Sequence, residues 1–266
     1  MEHASPLPRL NPPSRRQRLA RGRQDGILNR MPSLNSIVAM HRTVLLIDSA
    51  SSVIQVGLLR DDCEVIWQQA AQESGIAVFA CADAALAQAR IEVVDIGAFV
   101  FCEGPGSILG IRTAAMAIRT WSVSEDRAPP AFAYRSLELL ASDLQTGHTP
   151  APFAVVADAR RDSWHWVDGA ADGSIGPLRR VPAQELAAFT GGVFTPSGFR
   201  AWAQPLRPIS TISYDLPSLW LRRRAADLLQ PAPQPDAFLH EDATYVTWTP
   251  RIHRTGVAPS QTRANS

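Results

Sequence analysis

The chain contains 266 residues with a formal net charge of +1, and 45% of them are hydrophobic. A chain of this length can bury one large core or two smaller ones, and its near-neutral charge by itself predicts neither a nucleic-acid nor a membrane partner. All 26 basic residues are arginine. A Walker-type phosphate loop, a pyridoxal Schiff base and other lysine-dependent chemistry are therefore excluded.

The cysteines and the lack of a long apolar run predict a soluble, cytoplasmic protein. Cys63, Cys81 and Cys102 form no Cys-x-x-Cys pair, which is typical of buried thiols in a reducing compartment. No apolar segment approaches the roughly 20 residues that a membrane-spanning helix needs. We therefore expect no membrane partner.

The first 42 residues are predicted to be disordered. Seven arginines and several prolines fall within the first 39 residues, where the acidic residues are Glu2 and Asp25 and no apolar periodicity is seen. An organelle address, a nucleic-acid-binding tail and a start codon placed too far upstream are all compatible with this composition. We assign the segment no function.

The first ordered elements are predicted to form a three-stranded meander. Val44–Ile47 is an apolar strand, a polar turn then begins with Asp48, and an alternating strand follows from Val53. A third strand is expected at 64–69, and a helix at about 78–90 leads out of the meander.

A glycine turn follows the next strand and organises the rest of this half. Ile96–Cys102 is a continuous apolar run, as in a strand buried on both faces. After Gly104-Pro105-Gly106-Ser107 the spacing becomes helical, with Ser107 placed as the N-cap of a helix over 108–123. A helix N-terminus at the end of a buried strand can attract an anion. The alternative is a tight strand-to-helix turn without a ligand, and both remain open.

The remainder of the first half is predicted to be one strand and one helix. Residues 131–134 form the short strand, and Ser136 caps a leucine-rich helix. Gly147 and two nearby prolines mark a boundary, so we predict an N-terminal α/β lobe over 43–148.

The opening pattern then returns. Phe153–Asp158 is again an apolar strand that ends in an aspartate, and a short polar turn leads to the alternating Trp164 and Trp166. Asp48 and Asp158 lie 110 residues apart. A repeated strand, aspartate, turn and strand at this spacing indicates a duplicated α/β unit.

The second lobe, predicted over 149–250, is reduced and its elements are weaker. They comprise a strand at 178–181, a helix at 183–189, a strand that begins at 193, a helix at 219–229, a proline-rich linker at 230–236 and a strand at 244–249. Residues 251–266 are predicted to be a disordered tail.

Three sequence blocks resemble the TsaB (YeaZ) family in their order and spacing. They are Leu-Leu-Ile-Asp-Ser-Ala-Ser-Ser from Leu45, Gly-Pro-Gly-Ser-Ile-Leu-Gly-Ile-Arg from Gly104 and Val-Val-Ala-Asp-Ala-Arg-Arg-Asp-Ser-Trp from Val155. The resemblance implies an actin-like and hexokinase-like ATPase fold in two lobes. The chain departs from the family where Phe-Thr of the usual glycine turn is replaced by Ile108-Leu109, and where the usual Tyr-Leu-Arg appears as Tyr245-Val246-Thr247.

The resemblance implies partnership more than catalysis. Proteins of this family are accessory subunits that pair with the TsaD transferase and, with the TsaE ATPase, support transfer of a threonylcarbamoyl group to adenosine 37 of tRNA. The resemblance therefore implies a non-catalytic dimerisation subunit that contacts tRNA only through the complex. When the partner is missing, we expect the chain to form a homodimer. No His-x-x-x-His motif is present, so no metal site is predicted. No Gly-x-Ser-x-Gly motif occurs and Ser107 has no nearby histidine in the sequence, so no catalytic residues are predicted. An active nucleotide-binding kinase or hydrolase of the same fold and a stand-alone interaction module remain alternatives.

The candidate phosphate or nucleotide loop lies in the two hairpins and the glycine turn. In ATPases of this fold such segments contact ATP or ADP with Mg²⁺. The alternative is that each aspartate accepts hydrogen bonds from its own turn, in which case no cofactor is bound. The candidate residues are Asp48, Ser49, Gly104, Pro105, Gly106, Ser107 and Asp158.

The candidate partner interface consists of small residues on the first two helices of the lobe, where the resemblance places the contact between subunits. Such stripes allow a second helix to approach closely, although they also pack on a protein's own sheet. The predicted interface residues are Ala80, Ala84, Ala87, Gly110, Ala114, Ala117 and Ile118.

Overall fold

The computed structural model describes residues 31–62, 65–123 and 128–239, which form two β-sheets with helices on their faces. The first sheet contains β1 (Thr43–Asp48), β2 (Ile54–Arg60), β3 (Ile66–Ala70), β4 (Ala98–Gly104), β5 (Ala131–Arg135) and β11 (Gln230–Pro231). The second sheet contains β6 (Phe153–Asp158), β7 (Ser163–Gly169), β8 (Arg179–Pro182), β9 (Gly192–Pro196) and β10 (Ser210–Ile212). The predicted α/β class is confirmed.

Six α-helices lie in the described part of the chain. They are α1 (Leu34–His41), α2 (Ser74–Ala89), α3 (Ile108–Val123), α4 (Ser136–Thr146), α5 (Ala183–Ala188) and α6 (Leu216–Arg223). None of the helices in the described ranges has the length and apolarity that crossing a membrane requires.

The two sheets repeat one topology, which confirms the predicted duplication. The strand order is β5-β4-β1-β2-β3 in the first sheet, with β11 beside β5, and β10-β9-β6-β7-β8 in the second. In each unit the first strand pairs antiparallel with the second and parallel with the fourth. Asp48 and Asp158 are the last residues of the equivalent strands β1 and β6.

The second unit is the smaller one. Helix α5 has 6 residues where the equivalent helix α2 has 16. The residues between β9 and β10 form no helix, although the equivalent segment of the first unit is the glycine turn and α3. The loop at 197–209 therefore takes the place of a helix.

One core runs through both sheets. Helices α4 and α6 lie between them, because apolar residues of α4, α6 and the facing sides of both sheets belong to one buried cluster. Helices α2 and α3 cover the opposite face of the first sheet, and α5 covers the opposite face of the second. Strand β4 is buried along almost its whole length, as its apolar run predicts.

The prediction of disorder over residues 1–42 is wrong for its last part. Residues 34–41 form α1, whose Leu34, Ile37 and Val38 are buried, and Ser33 caps it by accepting a hydrogen bond from the Ser36 amide. The i, i+3, i+4 spacing of these three residues was the signal, and the proline and arginine content around it obscured it. Residues 1–30, Cys63 and the predicted strand and tail from 244 onward lie outside the described residues.

Two further predictions need correction. The helix predicted at 219–229 begins and ends earlier, because Asp215 is its N-cap and Pro217 lies in its first turn. The segment predicted as a proline-rich linker includes β11, which pairs with β5, so the chain returns to the first sheet.

Candidate functional site

Asp48 is held in a buried network of hydrogen bonds. It is 0% exposed. Its Oδ1 accepts from the Ala50 amide at 2.9 Å, and its Oδ2 accepts from the hydroxyls of Tyr134 at 2.5 Å and Tyr214 at 2.6 Å. Tyr134 lies on β5 and Tyr214 follows β10 of the second sheet. The carboxylate therefore joins the two halves of the molecule and is closed off from solvent.

Burial determines the protonation of this network. Desolvation raises the pKa of Asp48 above its ordinary value of 3.8, and it outweighs the opposing effect of the hydrogen bonds from Tyr134, Tyr214 and Ala50. Burial and the nearby carboxylate raise the pKa values of both tyrosines well above their ordinary range. The two phenols therefore stay protonated and donate to Asp48.

Gln55 fixes the position of Tyr214 from the neighbouring strand. This residue is 1% exposed and pairs with Asp48 across the β1–β2 ladder. Its amide nitrogen donates to the Tyr214 carbonyl at 3.0 Å, and its side-chain oxygen accepts from the Leu216 amide at 2.9 Å. Because the nitrogen and the oxygen of this buried side-chain amide are both hydrogen-bonded, they fix the backbone of Tyr214 and Leu216 relative to β2.

The glycine turn is filled by the chain itself. The Ser107 amide, at the start of α3, donates to the Ala50 carbonyl at 2.7 Å. A Cβ at Gly106 would lie 2.5 Å from the same carbonyl oxygen. A Cβ at Gly110 would collide with the Ser49 carbonyl. The glycines are thus required because the β1–β2 turn packs directly on the helix N-terminus.

The rest of the turn also makes internal contacts. Ser107 is the N-cap as predicted, since its carbonyl accepts from Ile111 and its Oγ lies 3.4 Å from the Gly110 amide. Ser136, predicted as an N-cap, is instead the first residue of α4, and its buried hydroxyl donates to the Pro105 carbonyl at 2.7 Å. The Gly104–Pro105 peptide is cis.

Asp158 holds the loop that replaces a helix in the second unit. Its Oδ1 accepts from the Arg160 amide at 2.6 Å, and its Oδ2 accepts from the amides of Trp202 at 2.5 Å and Ala203 at 2.7 Å. Partial burial opposes ionisation, but these three amides together lower the pKa of Asp158. Each aspartate therefore accepts a hydrogen bond from its own turn, which is the contact that the alternative without a ligand predicts.

The β6–β7 turn has an unusual backbone. Arg160, Arg161 and Asp162 all have positive φ, at 62°, 51° and 54°. Each such residue costs about 1–2 kcal/mol relative to the right-handed conformation. The turn is kept in place by Ser163, whose hydroxyl donates to the Arg160 carbonyl, and by Arg180, which donates to the carbonyls of Ala159 and Arg160.

The predicted interface residues on α2 lie on its exposed side. Ala80, Ala84 and Ala87 are exposed, while the opposite side of the helix is buried on the sheet. Ile76 and Phe79 extend this side and are 62% and 41% exposed. We call these five residues the α2 face.

The predicted interface residues on α3 are wrong. Ala114, Ala117 and Ile118 are 0–1% exposed and Gly110 is also buried. These residues pack against α2, the sheet and the β1–β2 turn. The small residues of α3 are therefore in contact with the chain itself and are not available to a partner. The side of α3 that remains exposed includes Met116 at 54%.

No group of three or more histidine, cysteine, aspartate or glutamate side chains converges among the described residues. The described residues also line two clefts. One of about 450 Å³ runs beside the returning segment 231–239, and one of about 400 Å³ opens at Asp158.

A family model and solved structures relate this geometry to known proteins. Residues 65–180 match the family described as TsaD: tRNA N6-adenosine threonylcarbamoyltransferase. No curated protein sequence matches the chain at a significant level. YeaZ from Pseudomonas aeruginosa is similar with 20% identity and a TM-score of 0.53, over 74% of this chain and 99% of that chain.

The fold of the chain is YeaZ-like.

A second structure with similarity to peptidase YeaZ from the same organism gives 21% identity and a TM-score of 0.53, over 75% of this chain and 99% of that chain. A Bacteroides thetaiotaomicron protein with an actin-like ATPase fold is similar at 6% identity and a TM-score of 0.33, over 70% of this chain and 89% of that chain. The two YeaZ structures confirm the fold that the predicted TsaB (YeaZ) resemblance implies.

Sequence reasoning missed the residues that enclose Asp48. Tyr134, Tyr214 and Gln55 are not among the predicted site residues. No local pattern identifies the two tyrosines. Tyr134 and Tyr214 lie 86 and 166 positions from Asp48 in the sequence, and only folding brings them into contact with it.

Replacing Gly110 with alanine is predicted to destabilise the YeaZ-like chain. Gly75→Ala is the matched control, because both glycines lie near a helix N-terminus and the nearest atom to a Cβ at Gly75 is 3.9 Å away. In urea unfolding, Gly110→Ala should lower the free energy of unfolding by about 1–3 kcal/mol, whereas Gly75→Ala should change it by less than about 1 kcal/mol. Equal effects would contradict the packing of the turn on α3.

The raised pKa of Asp48 predicts a specific dependence of stability on pH. Above pH 3.8 the unfolded state has lost this proton while the folded state still binds it, so stability falls as pH rises towards the folded-state pKa. Asp48→Asn lacks this contribution. The free energy of unfolding of the wild type, relative to that of Asp48→Asn, should therefore decrease as pH rises from about 4. Parallel curves from pH 4 to 8 would show that Asp48 is not desolvated.

Proposed function

We propose that the chain is a non-catalytic accessory subunit that supports a TsaD-like transferase in threonylcarbamoylation of adenosine 37 of tRNA. The observation that carries the proposal is the closed position of Asp48. A nucleotide-binding hairpin has to present its carboxylate to phosphate or magnesium, and here two tyrosine hydroxyls occupy one oxygen and an amide the other.

The glycine turn supports the same conclusion. The amide of Ser107 is satisfied by a carbonyl of the β1–β2 turn, and the space above Gly106 and Gly110 is filled by the same turn. An anion at this helix N-terminus would have to displace the chain's own backbone. ATP or ADP with Mg²⁺ is therefore not part of the proposal.

The α2 face supports the docking role. It presents small and apolar side chains to solvent, with the exposed Asp83 among them, on a helix that lies within the matched segment 65–180. Apolar residues at i, i+4, i+8 and i+11 form one side of a helix. The absence of bulky side chains at Ala80, Ala84 and Ala87 lets a partner helix approach closely. We assign this face to a TsaD-like subunit, with a second copy of the chain as its occupant when that subunit is missing.

The wider assembly follows from the same proposal. A TsaE-like ATPase would join the pair, tRNA would be met through the complex, and the protein would act in the cytoplasm. Of the two alternatives, an active kinase or hydrolase is opposed by the closed Asp48. A stand-alone interaction module would use the α2 face with an unrelated partner.

Ala84→Arg is predicted to break the pairing with the TsaD-like protein of the same organism. The change places a long charged side chain in the middle of the α2 face, and burial of an unpaired charge should reduce copurification at least about tenfold. Ala187→Arg is the matched control, because Ala187 is an exposed alanine on α5 of the other unit. Both variants should unfold at the wild-type temperature, since both positions are exposed.

Undiminished pairing of Ala84→Arg would contradict the assignment of the α2 face. The function itself is tested by mass spectrometry of tRNA nucleosides from a strain that lacks this chain. Threonylcarbamoyl-adenosine should disappear and return with the wild type or Ala187→Arg, but not with Ala84→Arg. An unchanged nucleoside pool in the deletion strain would contradict the role in tRNA modification.

A further inference from the structure

The cleft at the β6–β7 turn is not used by the accessory function. It has a volume of about 400 Å³ and is lined by Asp158, Arg160, Arg161, Asp162, Trp202 and Ala203. It lies in the second unit, whereas the α2 face belongs to the first. The cleft is present where the loop at 197–209 replaces the helix that corresponds to α3 of the first unit.

Trp202 offers an aromatic surface in a fixed position. Its side chain is exposed, at 65% for the residue, which is uncommon for tryptophan. Its backbone amide is bound by the Asp158 carboxylate, as is that of Ala203. The loop therefore holds the indole at the rim of the cleft without burying it.

Two arginines complete the cleft. The guanidinium carbon of Arg160 lies 5.2 Å from the centre of the Trp202 ring, within the range of a cation–π contact. Arg161 is exposed beside it. The left-handed turn presents both side chains at the rim, and the hydrogen bonds from Ser163 and Arg180 keep that backbone rigid.

The charges favour an anionic ligand. The carboxylate of Asp158 is already compensated by three backbone amides, so it contributes little repulsion at the rim. Arg160 and Arg161 then outweigh Asp162, which is the other acidic residue of the lining. A flat aromatic surface next to planar guanidinium groups suits a ligand that combines a ring with a phosphate.

We infer that this cleft binds one nucleotide unit, with the base stacked on Trp202 and the phosphate paired with Arg160 and Arg161. A single-stranded stretch of RNA and a free nucleotide share this chemistry. We assign the unit to RNA, which would then contact this chain directly and not only through its partner, and this choice of source rests on the proposed function in tRNA modification. The stacking site itself does not depend on that proposal.

The test is fluorescence anisotropy of the full chain with a labelled single-stranded RNA oligonucleotide. Trp202→Ala should weaken binding about tenfold, and Trp202→Phe should retain most of the affinity because it keeps an aromatic face. Arg161→Ala should weaken binding and lower the slope of log K against log salt by about 0.7. Leu206→Ala, on the same loop and 64% exposed but outside the cleft, should bind as the wild type does.

A variant that should bind RNA more tightly provides a second test. Asp162→Asn removes the acidic charge from the rim, and asparagine tolerates the positive φ of this position. Binding should tighten about twofold. The seven arginines near the N-terminus are common to all variants, so their contribution to the RNA affinity cancels in each comparison.

Three outcomes would overturn the inference. They are no binding of RNA by the wild type, equal affinity of the wild type and Trp202→Ala, and loss of the TsaD-like partner rather than of RNA when Trp202 is replaced. Competition by AMP as strong as that of the unlabelled oligonucleotide would support the cleft and assign it to free nucleotides. If the chain fails to pair with the TsaD-like protein while Trp202→Ala still loses RNA, the proposed function fails and the cleft stands.

Discussion

The contact between the Asp48 carboxylate and two tyrosine hydroxyls determines what this molecule can do. Asp48 ends the first strand of one unit, and Tyr214 arrives from the end of the second sheet, so their hydrogen bond crosses between the duplicated halves. The two halves are therefore tied together at Asp48. The cost is a desolvated carboxylate, which is stable only because three donors surround it.

The equivalent aspartates of the complete first unit and the reduced second unit have different roles. The β1–β2 turn leads away from Asp48 and packs on Gly106 and Gly110, so the position of Asp48 and the N-terminus of α3 depend on each other. The equivalent aspartate of the second unit has no helix to support. Asp158 instead binds the loop around Trp202, and an aspartate that could face phosphate becomes a structural anchor. Loss of the helix leaves a new cleft with exposed aromatic and guanidinium groups.

The sequence predicted most of the fold because its signals are local. The apolar run of β4, the two strands that end in aspartate and the N-cap Ser107 each depend on neighbouring residues, and all three are confirmed. Helix α1 was missed because three apolar residues at helical spacing lie in a segment dominated by proline and arginine. Boundaries shifted where a cap was overlooked, as at Asp215.

The site was predicted less well, for physical reasons. A stripe of small residues is visible in the sequence, but which side packs inward depends on the tertiary arrangement. The stripe on α2 is exposed, whereas that on α3 is buried under the β1–β2 turn. Tyr134 and Tyr214 could not be foreseen, because only the folded chain brings them to Asp48.

Thermal unfolding with and without magnesium ATP tests the enclosure of Asp48 most directly. A ligand present at a thousandfold excess over its Kd adds about 4 kcal/mol to the stability of the folded state. We predict that millimolar magnesium ATP produces no stabilisation that requires both the metal and Asp48, so that wild type and Asp48→Asn respond alike. A magnesium-dependent rise in the unfolding temperature that Asp48→Asn abolishes would contradict the account.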